Sequence, residues 1–445
     1  MNTSQTPHGE HLSPTGLLEH YWGYPAFLPY QEAIIGSVIR GHDTLAIMAT
    51  GGGKSLCYQL PALYLGGLTI VISPLIALMK DQVDALNARG IPAAAWTGQL
   101  DPDGRSRVGA GIREGRLRLL FVSPEKCMQP GFLETIAAAP VRLIAIDEAH
   151  CISEWGHHFR PEYRELARIR KIVPGVPIIA LTATAVPEVR RDICQQLGLV
   201  RAREFVGSFR RENLSYRVIA KKNPGVQIAE FLCRHKNEAG IIYCMSRKET
   251  GEIAAVLRKR GFSALAYHAG LSGPARERVQ DAFLNNTVRI ICATVAFGMG
   301  IDKPDVRFVI HYDLPKSVES YYQETGRAGR DGKPGECLLL YSGADVTRVK
   351  LLLDHDRASE RSIRIAQKKL RDMVGFCETT RCRRTFLLEY FGETSGKETC
   401  TSCDNCTHEP DPPARTQGPK KIRHPAKSPV VQRCRATSLP HPQCL

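Results

Sequence analysis

The chain has 445 residues, enough for two or three domains with sizeable buried cores. Its 43% hydrophobic and 24% charged content excludes a fibrous or wholly disordered chain, and no apolar run approaches the twenty residues a membrane span needs. A formal net charge of +15, with a pI near 9.2, points to a polyanionic partner. The N-terminus is polar and lacks a signal-peptide core, so export is not expected. Most of the 15 cysteines stand singly in apolar runs, such as Cys244 and Cys292, which fits a reducing cytoplasm and not a disulfide framework.

Taken in chain order, the first strand-like run is 44–49, followed by Met48-Ala49-Thr50-Gly51-Gly52-Gly53-Lys54-Ser55. Glycines let backbone N–H groups approach phosphate oxygens, and a helix starting near Lys54 points its positive end at the same anion. Lys54 is placed to reach the β/γ-phosphates of ATP and Ser55 to ligate Mg²⁺. Met48 stands where the strict pattern has a glycine. Runs 68–73, 118–123, 141–146 and 177–182 read as further buried parallel strands. After the fourth comes Asp147-Glu148-Ala149-His150. Asp147 suits Mg²⁺, and Glu148 suits orienting and deprotonating an attacking water.

A second series of runs, 239–244, 263–267, 288–293, 306–311 and 335–341, carries no Gly-Lys-Ser loop. Two α/β units, one with a phosphate cradle and one without, predict a nucleotide bound between them. Residues 292–302 end a strand in a glycine-rich loop, with Thr294 a candidate phosphate-backbone contact and Gly298, Gly300 and Asp302 candidates to couple it to the nucleotide. Residues 321–332 place Arg327 and Arg330 on a Gly-punctuated turn expected to open a helix, where both can face one way. Arg330 is the candidate arginine finger, with Arg327 beside it. Segment 346–395 reads as helical. Cys382, Cys400, Cys403 and Cys406 suit a structural zinc site, with an iron–sulfur cluster the competing reading and Cys377 an alternative fourth ligand. Cys434 and Cys444 lie in a Pro-, Lys- and Arg-rich tail.

With these blocks in order, the chain resembles the RecQ family of superfamily 2 DNA helicases over about 390 residues, Leu17 to Cys406. Ser73-Pro74-Leu75, Ser123-Pro124-Glu125 and Thr182-Ala183-Thr184 are similar to its strand-contact and coupling motifs, and Asp147–His150 to its Walker B motif. The stretch 151–163 resembles the family's aromatic-rich loop. There Trp155 and Phe159 offer faces for bases and Arg160 a charge near nucleotide or phosphate. His158 stands where the family has an acidic residue. Upstream, Tyr24 and Gln31 match an adenine-recognition motif, with Leu28 in place of a basic residue.

The resemblance implies an α/β fold: two tandem RecA-like parallel-sheet domains, then a small helical zinc-binding module and a disordered basic tail. The expected boundaries are 1–14 disordered, 15–207 first domain, 208–345 second domain, 346–410 zinc module and 411–445 tail. It implies a monomeric 3′→5′ helicase using ATP, Mg²⁺ and Zn²⁺ on single-stranded and tailed duplex DNA in repair or recombination. The expected setting is cytoplasm and nucleoid, or a nucleus. No winged-helix domain is expected after Cys406. An annealing or remodelling ATPase that does not unwind is the alternative. An RNA helicase is a third reading, disfavoured by the aromatic loop and the cysteines.

Overall fold

The computed structural model describes residues 12–407, apart from 99, 157–158, 299–302, 356–358 and 397. The expectations for His158, Gly300, Asp302, Cys434, Cys444 and the tail therefore lie outside the described residues.

The first sheet contains β1 (Thr44–Ile47), β2 (Leu68–Ile72), β3 (Ala93–Trp96), β4 (Leu119–Val122), β5 (Val141–Ile146), β6 (Ile178–Thr182) and β7 (Arg203–Val206). Its order is β3-β4-β2-β5-β6-β1-β7, with every pairing parallel. Alternate side chains face opposite layers. Leu45 and Ile47 join one apolar cluster with Ile144 and Ile146, while Ala46 joins the other with Leu143 and Ala145. Each fully buried aliphatic side chain contributes about 1.5–3 kcal/mol, which is why these runs carry almost no polar residues.

The second sheet contains β8 (Leu214–Ala220), β9 (Ala239–Tyr243), β10 (Ala264–Tyr267), β11 (Ile290–Ala293), β12 (Val306–His311) and β13 (Gly335–Tyr341), in the order β10-β11-β9-β12-β13-β8 and again all parallel. His235 ties the helix Pro224–Arg234 to β13. Its Nδ1 lies 2.7 Å from Glu238 and its Nε2 3.1 Å from Glu336. Burial opposes the imidazolium, but the hydrogen bonds to Glu336 and Glu238 outweigh it and raise the pKa. A raised folded-state pKa gives stability that is complete below the unfolded value of about 6.5 and is lost as pH rises through the folded value. His235→Gln is therefore expected to lower the melting temperature at pH 6 by on the order of 2 °C and to change it little above the folded pKa. An equal loss at both pH values in a thermal melt would contradict the charged pair.

After β13, helices Gly343–His355, Glu360–Glu378, Arg383–Tyr390 and Asp404–Thr407 form the C-terminal module. It packs on both sheets' domains. Met373, Phe376 and Leu387 join the second domain's core, while Leu388 and Phe391 join the first domain's. Phe391 stacks on Phe209 at 4.4 Å, in the segment connecting the two sheets, and Glu393 accepts from Ser208 Oγ at 2.6 Å and Phe209 N at 2.7 Å. Tyr216 of β8 pairs with Cys403, and Val218 N donates to Asp404 at 2.8 Å, so the cysteine segment covers the β8 edge.

Candidate active site and zinc centre

Parallel order places the β1, β6 and β5 ends at one sheet edge, with the phosphate loop after β1 and the acid pair after β5. Two strand spacings of about 4.8 Å separate them. Gly51 at φ 86° and Gly53 at φ 71° hold left-handed conformations that a side chain would strain. The helix begins at Leu56, slightly later than the sequence suggests, so Lys54 and Ser55 sit in the turn before it. Lys54 Nζ donates to Met48 O at 3.2 Å. Burial lowers its pKa, opposed by Glu148 and Asp147. Burial, reinforced by Glu148, raises the Asp147 carboxyl to about 7, while Lys54 works the other way.

Glu148 holds a left-handed φ of 48°. His150 Nδ1 lies 3.1 Å from its carboxylate and 2.8 Å from Thr182 Oγ1 at the end of β6. Burial disfavours a charged imidazole, but Cys151 and Glu148 lift the His150 pKa to about 10. Thus His150 ties the acid pair to the Thr182-Ala183-Thr184 strand end. Tyr163 is a second tie, its buried hydroxyl donating to Asp147 O at 3.1 Å. It belongs to the aromatic-rich stretch, whose Cys151 N also donates to Glu148 O at 2.9 Å, so that loop is hydrogen-bonded to both members of the acid pair. Sequence reading gave neither residue a role.

Gln31 bends over the phosphate loop. Its Nε2 donates to Gly53 O at 3.2 Å and Gly52 O at 3.4 Å, and its Oε1 accepts from Leu28 N at 2.9 Å. Tyr24 and Leu28 are exposed nearby in sequence.

The second domain reaches the same loop. The Arg330 Cγ lies 3.9 Å from where a Cβ on Gly51 would stand, and its charge helps depress Lys54. Arg327 behaves differently. It is 5% exposed and donates to Gly298 O inside its own domain. The expectation that both arginines open a helix is corrected here. The helix Val318–Thr325 precedes them, and Gly329 at φ 57° turns the chain between them. Arg211 joins the two domains and was not singled out from sequence. Its guanidinium donates to Thr50 O (3.4 Å), Gly326 O (3.3 Å), Ala328 O (3.0 Å) and Gly329 O (3.1 Å).

Of the remaining candidates, Ser73 is buried at the end of β2, and Thr294 is half-buried beyond β11. Phe159 lies beneath Arg164, whose Cζ is 5.0 Å from the ring, and Arg160 lies 3.5 Å from Glu125. Trp155 is half-buried, with Lys368 Nζ 5.5 Å over its ring.

At the β8 edge, the sulfurs of Cys382, Cys400, Cys403 and Cys406 lie within 4.8 Å of one another. Four thiolates at about 2.3 Å from a tetrahedral Zn²⁺ stand about 3.8 Å apart, so the set fits that ion. Cys403 and Cys382 are 3.9 Å apart. Arg383 braces the site, pairing with Asp404 at 2.6 Å. Cys377 lies outside this group. Cys403→Ser is expected to abolish stoichiometric zinc by elemental analysis and to lower the melting temperature by on the order of 10 °C. Full zinc retention would contradict the site.

Family comparison agrees with this geometry. Residues 28–193 match the DEAD/DEAH box helicase model, 225–332 the helicase conserved C-terminal domain and 343–407 the RecQ zinc-binding model. The chain is 48% identical over 408 residues to the ATP-dependent DNA helicase RecQ of Haemophilus influenzae, covering 91% of this chain and 65% of that protein.

The chain belongs to the RecQ family.

It is also 44% identical over 419 residues to the RecQ-like DNA helicase BLM of Xenopus laevis, covering 90% of this chain and 31% of that one. The chain thus spans just under two thirds of the bacterial RecQ proteins it matches. The two-domain RecA-like fold is shared with the Mycobacterium smegmatis helicase Lhr bound to ssDNA and AMP-PNP (22% identity, TM-score 0.59, 77% of this chain and 50% of that one). It is shared also with helicase MrfA bound to DNA (18% identity, TM-score 0.64, 86% of this chain and 55% of that one). ATP and Zn²⁺ fit as the cofactors of this RecQ-family chain, with Mg²⁺ typical of such ATPases.

Proposed function

We propose that this chain is an ATP-dependent DNA helicase motor that hydrolyses ATP between its two α/β domains and moves 3′→5′ along single-stranded DNA. The observation that carries this reading is Arg330 of the second domain lying against Gly51 of the first, on the edge that also holds Lys54, Asp147 and Glu148. In this reading Thr50, the three glycines, Lys54 and Ser55 cradle the triphosphate, and Gln31 and Tyr24 meet the adenine. Ser55 and Asp147 hold Mg²⁺, which supplies charge neutralisation on the phosphates. Glu148 takes the proton of the attacking water, and Arg330 neutralises charge on the transferring phosphoryl group. Arg211 fixes the turn that carries Arg330 against the phosphate loop. Ser73, Thr294, Trp155, Phe159 and Arg160 face the nucleic-acid strand, and Gly298 and Asp302 link that strand to the nucleotide. Domains of 15–207, 208–345 and 346–410, acting as a monomer on tailed duplexes, complete the proposal.

DNA as the polyanion draws support from the +15 charge and from relatives that are DNA helicases by name. Steady-state ATP hydrolysis with oligodeoxythymidylate, with single-stranded RNA and with neither tests it. The expected result is DNA stimulation of about tenfold or more, the scale of a completed catalytic arrangement. Equal stimulation by RNA, or none, would overturn the DNA assignment.

A further inference from the structure

The helix Glu360–Glu378 buries Ile365, Lys369, Leu370, Met373, Phe376 and Cys377 against the second domain. Its opposite face carries Arg361, Arg364, Lys368 and Arg371, all exposed. Spacings of three, four and three residues keep these cations on one stripe. Carboxylates offset these cations only in part. Glu360 accepts from Arg364 at 3.1 Å, and Glu154 is shared between Arg361 at 3.3 Å and Arg164 at 3.0 Å. Asp372, on the next position, feels the charges of Lys368, Arg371 and Lys369.

Trp155 stands at the foot of this stripe. The indole and the cationic face enclose an open cavity of about 520 Å³, lined also by Ile365. Ile365 lines a second cavity of about 490 Å³ as well, which reaches past Lys316 to Val295, the residue after Thr294. That second cavity, lined also by Glu154 and Gly156, reaches from the glycine-rich loop beyond β11 to the aromatic loop of the first domain. It then passes onto the helical module, ahead of the cysteine cluster.

We propose that Arg361, Arg364, Lys368 and Arg371, together with Trp155, form a single-stranded-DNA subsite on the helical module, continuing the strand path out of the cleft between the two α/β domains. The stripe takes phosphates, and the indole takes a base face. The chemistry selects a nucleic-acid single strand over an acidic peptide, because a π-face flush with a row of cations matches a base flanked by phosphates. From 361 to 371 the helix rises about 15 Å, room for roughly four nucleotides at a 3.4 Å rise and fewer in an extended strand. The subsite rests on the functional reading above.

The test is the triple variant Arg364→Ala/Lys368→Ala/Arg371→Ala in the full chain, with binding of fluorescent oligodeoxythymidylate measured by anisotropy across a salt series. Alanine is the strongest helix former, so the helix is retained, and a thermal melt matching wild type checks it. Each lost single-strand phosphate contact lowers the slope of log K against log salt by roughly 0.7, so the slope falls by about 2 and the Kd at low salt rises about tenfold or more. The control Lys171→Ala/Lys236→Ala/Lys259→Ala removes as many exposed charges elsewhere and is expected to keep the wild-type slope. A triple variant with wild-type affinity and slope overturns the subsite alone. An equal loss in the control also overturns it, because net charge then explains the effect. Wild-type protein that does not bind the oligonucleotide overturns the functional reading and the subsite together.

Discussion

Arg330→Ala is expected to lower kcat for DNA-stimulated ATP hydrolysis by about 10³-fold, the lower end of the range for a lost arginine finger. The expectation rests on geometry. Arg330 comes from the second domain, yet its side chain lies against Gly51 and its charge is felt at Lys54. Arg330→Lys is expected to rescue little, because a point charge lacks the planar fork that matches phosphate oxygens. Arg327→Ala serves as the contrast. That side chain is buried and bound to the Gly298 carbonyl, so its loss is expected to appear first as a lower melting temperature. If Arg330→Ala kept near-normal turnover while Arg327→Ala lost it without unfolding, the two roles would have to be exchanged.

Glu148→Gln is expected to lower turnover by at least ~10²-fold while ATP still binds, because glutamine keeps the shape of the side chain and removes the base. Its contact with His150 at 3.1 Å survives the substitution, so the Thr182 tie stays in place. Lys54→Ala, by contrast, removes a half-buried cation from the phosphate loop and is expected to lose a comparable factor in turnover together with nucleotide affinity. Rapid-quench hydrolysis alongside equilibrium binding of a fluorescent nucleotide separates the two. Near-normal turnover in Glu148→Gln would remove the role assigned to that carboxylate.

How much of this was legible in the sequence depended on burial. The runs that became β1, β2, β4, β5 and β6 are aliphatic because both faces are covered, and ten such runs announced two parallel sheets. Three strands gave weaker signals. β3 reads Ala-Ala-Ala-Trp, with low strand propensity, β7 is a partly exposed edge, and β8 is a sheet edge covered by the distant cysteine segment. The phosphate loop and acid pair were readable because their chemistry needs fixed residues at fixed spacing.

Residues that act through the folded arrangement were harder to see. Arg211 lies in the connection between two domains, in no motif, and only the fold brings it to Thr50 and Gly326 together. Arg327 and Arg330 carry a spacing that on a helix means one face, but the helix ends at Thr325, before both, and Gly329 turns the chain between them. Lys368 meets Trp155 because the C-terminal module folds back across the cleft, which no local pattern encodes.

The most direct measurement is unwinding of a 3′-tailed duplex by the full chain with ATP, with a 5′-tailed duplex and Lys54→Ala run in parallel. The expected result is ATP-dependent strand separation of the 3′-tailed substrate alone, abolished by Lys54→Ala. ATP hydrolysis stimulated by single strands, with no separation of either duplex, would contradict the helicase assignment and leave a DNA-dependent ATPase that anneals or remodels.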